Sequence, residues 1–560
     1  MTNIKDALKY KFSNERFWEV QDQIHVWSFA HELLTTLRSL KTEFSFISLV
    51  DLCGLDNTKK KNKKIWQNDF EVVIQLLSLE ENQRLTLHIP LKESDVFPDI
   101  SIIYYNAKSY LNELYDLVGI RFEGFDPDYR MFLSNSFDGF PLRKSFDSKK
   151  SQTSNFRETP HREVSLSEGH KSVQKGWVEA QPFDSINNPL GRFLIELEDE
   201  KINKVISDLG LTHRGIEKLL EKRKVNEAFH IVGKLNYFSS VVNEIAWAKT
   251  VEEFLEIEVS DRVKALRMVF LEFSRVVEHL QFFINICKEL EYMSFYWDCI
   301  KMRELIYKLY ERYSGQRIHL AIVDIGGMKS DVPLGWITDS LDVLKELGKG
   351  IRDLENGLNN TRWWVHEIAG ADLSADFAIK IGLTGPSLRA CGVNYDLRKN
   401  QPYYFYNEVD FNIPLGINGS GYDRYLVLIE EMKQSLLILT QVLDNLPTGK
   451  IYHPDIPSSI NPRFSVLSVD DPKKRHELMT SIIEGVSLKD QDFYSCLEAP
   501  NGELGFYLVG DESHYPYRVK VRTPGFPIIS HIDEISKGID IKKFNQFVMT
   551  LNLVANEYDR

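Results

Sequence analysis

The five cysteines are the first residues to weigh for chemistry. Cys53, Cys287, Cys299, Cys391 and Cys496 lie far apart, form no C-x-x-C pair and are odd in number. That spacing specifies neither a zinc site nor a disulfide framework. The histidines are not clustered along the chain either, so no metal centre is expected on this polypeptide. No nucleophile elbow, P-loop or H-E-x-x-H motif occurs, which leaves a free hydrolase or transferase with little support. Read singly, Arg214 is a surface ion-pair residue, His319 a satisfied strand histidine, Tyr237 a packed aromatic and Glu289 a solvated helix-face carboxylate.

The elements that must position them divide into two regions. A chain of 560 residues exceeds one ordinary core, at roughly 150 residues per domain. From Phe70 to Ile89, two β-rich runs flank a polar turn, with Leu85, Leu87 and Ile89 alternating in the second, so a hairpin of an α+β domain is predicted. After Lys144 the text turns polar and aperiodic, which places a linker at 145–175 between a domain at 1–144 and another at 176–560. The second domain opens on a strand, Arg192–Glu198. Leu266, Phe270, Phe273, Val277, Leu280, Ile284 and Cys287 then mark the stripe of one long helix, and Leu426, Ile429, Met432, Leu436 and Leu439 that of another. Strands return at Leu504–Val509 and Tyr517–Val521. The fold class is α+β: a small N-terminal α+β domain, then a larger one with a long-helix bundle and peripheral strands.

A net charge of -13 argues against a nucleic-acid binder, which needs a basic face. The one basic run, Lys59, Lys60, Lys61, Lys63 and Lys64, reads as a solvated loop. No stretch approaches ~18 consecutive apolar residues, and the start lacks the apolar core of a secretory signal, so a cytoplasmic chain is expected.

Two blocks, Glu113-Leu-Tyr-Asp-Leu-Val-Gly-Ile-Arg-Phe-Glu-Gly124 and Asp138-Gly-Phe-Pro-Leu-Arg-Lys144, resemble the signature of the 30-kDa subunit of the bacterial NADH-quinone oxidoreductase (respiratory complex I). Read for physics alone, they shape turns and a surface. The second domain resembles the 49-kDa subunit of the same complex in His213-Arg-Gly-Ile-Glu-Lys218, Gly385-Pro-Ser-Leu-Arg389, Gly392-Val-Asn-Tyr-Asp-Leu-Arg-Lys399, Tyr422-Asp-Arg-Tyr425, Glu430-Glu-Met-Lys-Gln-Ser435 and Glu498-Ala-Pro-Asn-Gly-Glu503. The chain is thus similar to the fused C/D protein of this complex, in which both modules share one polypeptide. The resemblance implies a fold like that of the nickel-iron hydrogenase large subunit without its metal site, since the two C-x-x-C pairs are missing.

It also implies roles. Arg214 and His319, in Ser314-Gly-Gln-Arg-Ile-His319, match residues that lie against the terminal iron-sulfur cluster of a partner subunit. Tyr237, in Lys234-Leu-Asn-Tyr237, matches the tyrosine facing the quinone head group. The opposing histidine is replaced: Asn188 stands where it belongs, and Asp184 at the loop's other usual histidine. Glu289 aligns with an aspartate on the long helix, while its histidine neighbour aligns with Ile286.

The implied function is that of a peripheral subunit on the cytoplasmic side of the inner membrane. It passes electrons from NADH through iron-sulfur clusters to a membrane quinone, coupled to proton translocation. The clusters, FMN and NADH belong to partner subunits; this chain alone holds no cofactor, and quinone sits at the interface. Partners are the terminal-cluster subunit and the membrane-arm subunits, with no nucleic acid. The missing histidines motivate the alternative: a structural or assembly subunit of a divergent complex with reduced quinone activity or another donor or acceptor.

Overall fold

A computed structural model describes residues 4–61, 68–124, 130–147, 177–180, 191–368, 370, 372–452 and 471–560. Asn188 and Asp184, all of the expected linker beyond 147, and Lys63 and Lys64 lie outside the described residues.

The predicted hairpin is present as Phe70–Ser78 and Gln83–Leu91. It sits inside a five-stranded sheet ordered Phe17–Val20, Gln23–Trp27, Gln83–Leu91, Phe70–Ser78, Ser48–Asp56, in which only Gln23–Trp27 and Gln83–Leu91 run parallel. The register puts Val72, Ile74 and Leu76 opposite Ile89, Leu87 and Leu85. Gly54 pairs with Val72, and its open side meets Leu114 and Val118 of the helix Ala107–Val118, so that apolar face packs on the helix.

An antiparallel sheet with one covered face alternates buried and exposed positions. Phe70–Ser78 is instead buried at every position. The other face carries Glu71, Gln75, Thr86, His88 and His25, all buried, because the second region covers it.

That second region is a helical assembly, with Ser240–Leu255, Asp261–Glu289, Met293–Ser314, Trp336–Asn359 and Gly421–Asp444 as its longest members. The strand Arg192–Glu198 is present as expected, paired with Lys201–Asp208. Asp261–Glu289 is more than a striped helix: 24 of its 29 residues are buried, so it is the core element around which the others pack. In Gly421–Asp444 the buried line runs through Tyr425, Leu428, Ile429, Met432, Ile438 and Leu439, whereas Leu426 is 37% exposed. The buried stripe therefore starts one residue earlier than the apolar spacing suggested, and Leu426 is corrected to the outer face.

An antiparallel sheet of Asp492–Ala499, Gly502–Val509 and Arg518–Arg522 joins the two regions. Glu498-Ala-Pro-Asn-Gly-Glu503 is its tight turn: Ala499 pairs with Gly502, and Glu498 faces Glu503. Gly502 adopts φ +133, and a side chain on Gly385 (φ +64) would strike the Gly502 backbone, so two of the matched motifs need glycine to approach each other.

Ion pairs cross between the regions. Arg84 forks onto Glu503 at 3.0 and 2.8 Å, Arg560 Nη2 donates to Glu113 at 2.9 Å, and Lys520 binds Glu113. Glu113 is therefore a buried anchor rather than a surface group. Asp116 accepts the backbone N–H groups of Met131, Phe132 and Leu133 at 3.0, 2.6 and 3.1 Å, holding the chain that follows. Lys60 is likewise no solvated residue: it is buried and pairs with Asp490 at 2.9 Å.

A chain cut within 145–175 should keep both parts folded, yet elute from gel filtration as one particle, because these contacts do not run through the linker. Two separately eluting fragments would refute that expectation. No helix among the described residues is long and apolar enough to cross a membrane.

Candidate functional site

Three of the five candidate residues meet around one short segment, residues 234–240. Arg214, in the loop before the helix Ile216–Leu220, donates from Nη2 to the Lys234 carbonyl at 2.8 Å. Ser240 Oγ donates to the Ile318 carbonyl at 2.8 Å, docking the chain that carries His319. Burial and the nearby Lys234 ammonium both push the His319 imidazolium pKa down, which favours the neutral ring. Tyr237 lies between these anchors, half-buried and with its ring 4.3 Å from that of Phe238. Burial, with the Glu278 carboxylate adding, pushes its hydroxyl up to about 12, so it keeps its proton and remains a donor at neutral pH.

His213, beside Arg214, is held through Nδ1 to the Asp559 carbonyl at 2.6 Å and stacks on Phe132 at 5.3 Å. The Asp559 carboxylate accepts the Gly210 and Thr212 N–H groups, each at 2.8 Å. The segment 557–560 thus braces the Arg214 loop from beneath.

Sequence reading missed what lies under Tyr237. The amide of Asn236 donates to both Glu278 Oε1 (2.8 Å) and Glu557 Oε2 (3.0 Å), and Asn501 donates to the same Glu278 oxygen at 2.6 Å. Two carboxyl groups thus share one amide, all buried. Burial, reinforced by Glu278, pushes Glu557 up to about 8, and burial raises Glu278 too. Burial thus favours the protonated carboxyl at both positions, next to the segment that carries Tyr237. The available signal was a glutamate, Glu278, set among apolar residues of the long helix.

The raised Glu557 pKa has a definite sign. Its stabilising contribution is complete below about 4.5, the unfolded value, and is lost as pH rises through about 8. Glu557→Gln, neutral throughout, should match the wild-type chain at pH 5 in urea denaturation and outlast it increasingly toward pH 9. A pH-independent difference would contradict the assignment.

Glu289 is not brought into this group. It is the last residue of the long helix, 11 residues beyond Glu278, hence ~16 Å further along the axis. Two large cavities among the described residues also lie elsewhere. One of about 720 Å³ is lined by Glu367, Asp372, Phe377 and Lys537, and one of about 740 Å³ by Arg84, Lys249, Glu253 and Tyr403.

Residues of four other matched blocks build a buried charge network. Arg389 donates to Glu431 Oε1 through Nε (2.9 Å) and Nη2 (2.5 Å), and to Glu498 Oε1 at 2.8 Å. Arg398 binds Asp396 Oδ2 at 2.8 Å and Glu272 at 3.3 Å, and His279 reaches Glu431 at 2.9 Å. Burial alone would raise Glu431, but Arg389 and His279 hold it at about 2. The five cysteines are free and, apart from the partly exposed Cys496, buried.

Comparison with known proteins accounts for both regions. Residues 26–152 match the family "Respiratory-chain NADH dehydrogenase, 30 Kd subunit", and residues 290–560 match "Respiratory-chain NADH dehydrogenase, 49 Kd subunit". The fused C/D protein of the NADH-quinone oxidoreductase of Bdellovibrio bacteriovorus is 32% identical over 100% of both chains. That of Aeromonas hydrophila is 29% identical over 96% of this chain and 92% of its own length. The mitochondrial NADH-ubiquinone oxidoreductase 49 kDa subunit of Neurospora crassa is 37% identical over 66% of this chain and 77% of its own. The chain belongs to the C/D family of NADH-quinone oxidoreductase subunits, with the 30 Kd and 49 Kd modules joined on one polypeptide.

Proposed function

We propose that the chain is the subunit at which electrons leave the iron-sulfur clusters of its partners and reach a membrane quinone, active only in the assembled complex. The observation that carries this reading is that Arg214 and the segment bearing His319 both dock on residues 234–240, which include Tyr237. This segment thus gathers a fixed positive charge, an imidazole and a protonated hydroxyl. Quinone is the substrate; the clusters, FMN and NADH belong to partner subunits, and buried, scattered cysteines do not suit this chain to hold a cluster.

The chain's own residues have three tasks. Arg214 stabilises a reduced, more negative cluster across the interface. The neutral His319 gains a proton as that negative charge arrives. Tyr237 donates a hydrogen bond to the quinone oxygen, with the Glu278 and Glu557 carboxyls behind it to resupply the proton. We place the chain peripherally on the cytoplasmic side of the inner membrane, between the terminal-cluster subunit and the membrane arm. A likeness to the hydrogenase large subunit belongs to the same proposal.

Arg214→Met should make the neighbouring cluster harder to reduce while the complex still assembles. His319→Met should flatten the pH dependence of the same potential. Redox-monitored EPR checks both, and an unchanged potential in Arg214→Met rejects the cluster-facing role. The alternative, an assembly subunit with weakened quinone chemistry or another donor or acceptor, is favoured by Asn188 and Ile286 in place of histidines and by the distance of Glu289 from the group.

A further inference from the structure

Two histidines far apart in sequence come together where the modules meet. The parallel pairing of Gln23–Trp27 with Gln83–Leu91 sets His25 beside Thr86 and Trp27 beside His88, so both imidazoles rise from one face of the sheet as diagonal neighbours. Asp492 comes down on them from the joining sheet of the other module. His25 Nδ1 lies 3.1 Å from His88 Nε2 and 3.3 Å from Asp492 Oδ2, and His88 Nε2 lies 3.5 Å from Asp492 Oδ2. All three residues are buried.

We propose that His25, His88 and Asp492 bind a divalent zinc-type ion that staples the 30 Kd module to the 49 Kd module. Three donor atoms form a triangle with edges of 3.1 to 3.5 Å. The edge of a tetrahedron with ligand bonds of ~2.0 Å is ~3.3 Å, so an ion fits with a fourth place for water.

The tautomer suits this use. His88 Nδ1 donates to Glu71 Oε1 at 2.6 Å, which in the neutral ring leaves the Nε2 lone pair directed at the triangle. Glu71 is itself fixed by the Asn57 amide at 3.0 Å, and Tyr507 donates to Asp492 at 3.0 Å. Two ligand groups thus carry a second set of residues orienting them, as metal-binding imidazoles and carboxylates do.

Charge also balances: one divalent cation offsets the Asp492 and Glu71 carboxylates while both imidazoles remain neutral. The Trp18 ring lies 5.2 Å from that of His25 and 4.9 Å from that of His88, and the Trp27 ring 5.1 Å from that of His88. They line one side of the group with aromatic rings. The expectation of no clustered histidines fails here because strand register, not sequence spacing, brings His25 and His88 together.

The test uses the full chain expressed in zinc-supplemented medium. About one equivalent of zinc should remain after gel filtration, measured by elemental analysis. The cobalt-exchanged chain should show the visible ligand-field absorption of a tetrahedral ion, and chelation should lower the melting temperature, reversibly on adding zinc. Glu71→Gln, which keeps all three ligands, should weaken zinc binding roughly 10- to 100-fold. Asp492→Asn should abolish the cobalt spectrum. If the wild-type chain holds no zinc, gives no cobalt spectrum and melts alike with and without chelator, the cluster is a hydrogen-bonded group sharing a proton and the proposal is overturned. Zinc retained equally by wild type and Asp492→Asn would place the ion elsewhere and overturn it as well.

Discussion

Tyr237→Phe lowers quinone-reductase turnover of the assembled, NADH-fed complex roughly 10-fold or more, the expected result of removing one positioned proton donor. Quinone reduction places negative charge on the head-group oxygens, and a donor at ~2.7–3.1 Å in a dry site lowers that cost by a few kcal/mol. The ring of Phe keeps the contact with Phe238, so the loss isolates the hydroxyl. The large end of the range follows from the proposed placement of Asn188, since an asparagine amide, unlike an imidazole, does not titrate near neutrality and could not share the load. Asn188→His should raise turnover or shift its pH optimum. Turnover equal to wild type in both variants would remove Tyr237 from the quinone site and favour the assembly reading.

Arg389→Met costs about 3–5 kcal/mol of stability, the magnitude found when one partner of a buried ion pair is deleted. Arg389 is fully buried and serves Glu431, Glu498 and Asp396 together. Without it, Glu431 loses the charge that holds its pKa at about 2, and three carboxylates are left in a dry core. Glu431's own contribution has the opposite sign to that of Glu557: it is present above about 4.5 and lost as pH falls through about 2. The variant should therefore recover part of its deficit in mild acid, where the orphaned carboxyls protonate. Urea midpoints of the isolated chain at pH 5 and pH 7.5 check both statements. A deficit below about 1 kcal/mol at pH 7.5 would mean that the network relaxes around the gap.

The elements with a single strong period were legible in the sequence. Phe70–Ser78, Gln83–Leu91 and Arg192–Glu198 stand where alternation placed them, and the long helix spans Asp261–Glu289 as its apolar spacing required. What escaped was burial that depends on the other module. Lys60, Glu113 and His88 look like surface residues when only neighbours in sequence are weighed, and each is buried by partners hundreds of residues away or across a sheet. The candidate site shows the same split. Arg214, Tyr237 and His319 could be named from motifs, whereas Asn236, Glu278 and Glu557 could not, because their meaning arises from one amide bridging two carboxyls.

The reach of Arg560 back to Glu113, 447 residues earlier, sets a clock on the ribosome. At about 5–20 residues per second, roughly 20 to 90 seconds separate the synthesis of these two partners. Throughout that interval the N-terminal sheet shows water the face that carries His25, Glu71 and His88. Its polar side chains let it wait without aggregating, as an all-apolar face could not. Until the second module is made, a folded first module would present this mixed polar face rather than a wholly apolar one.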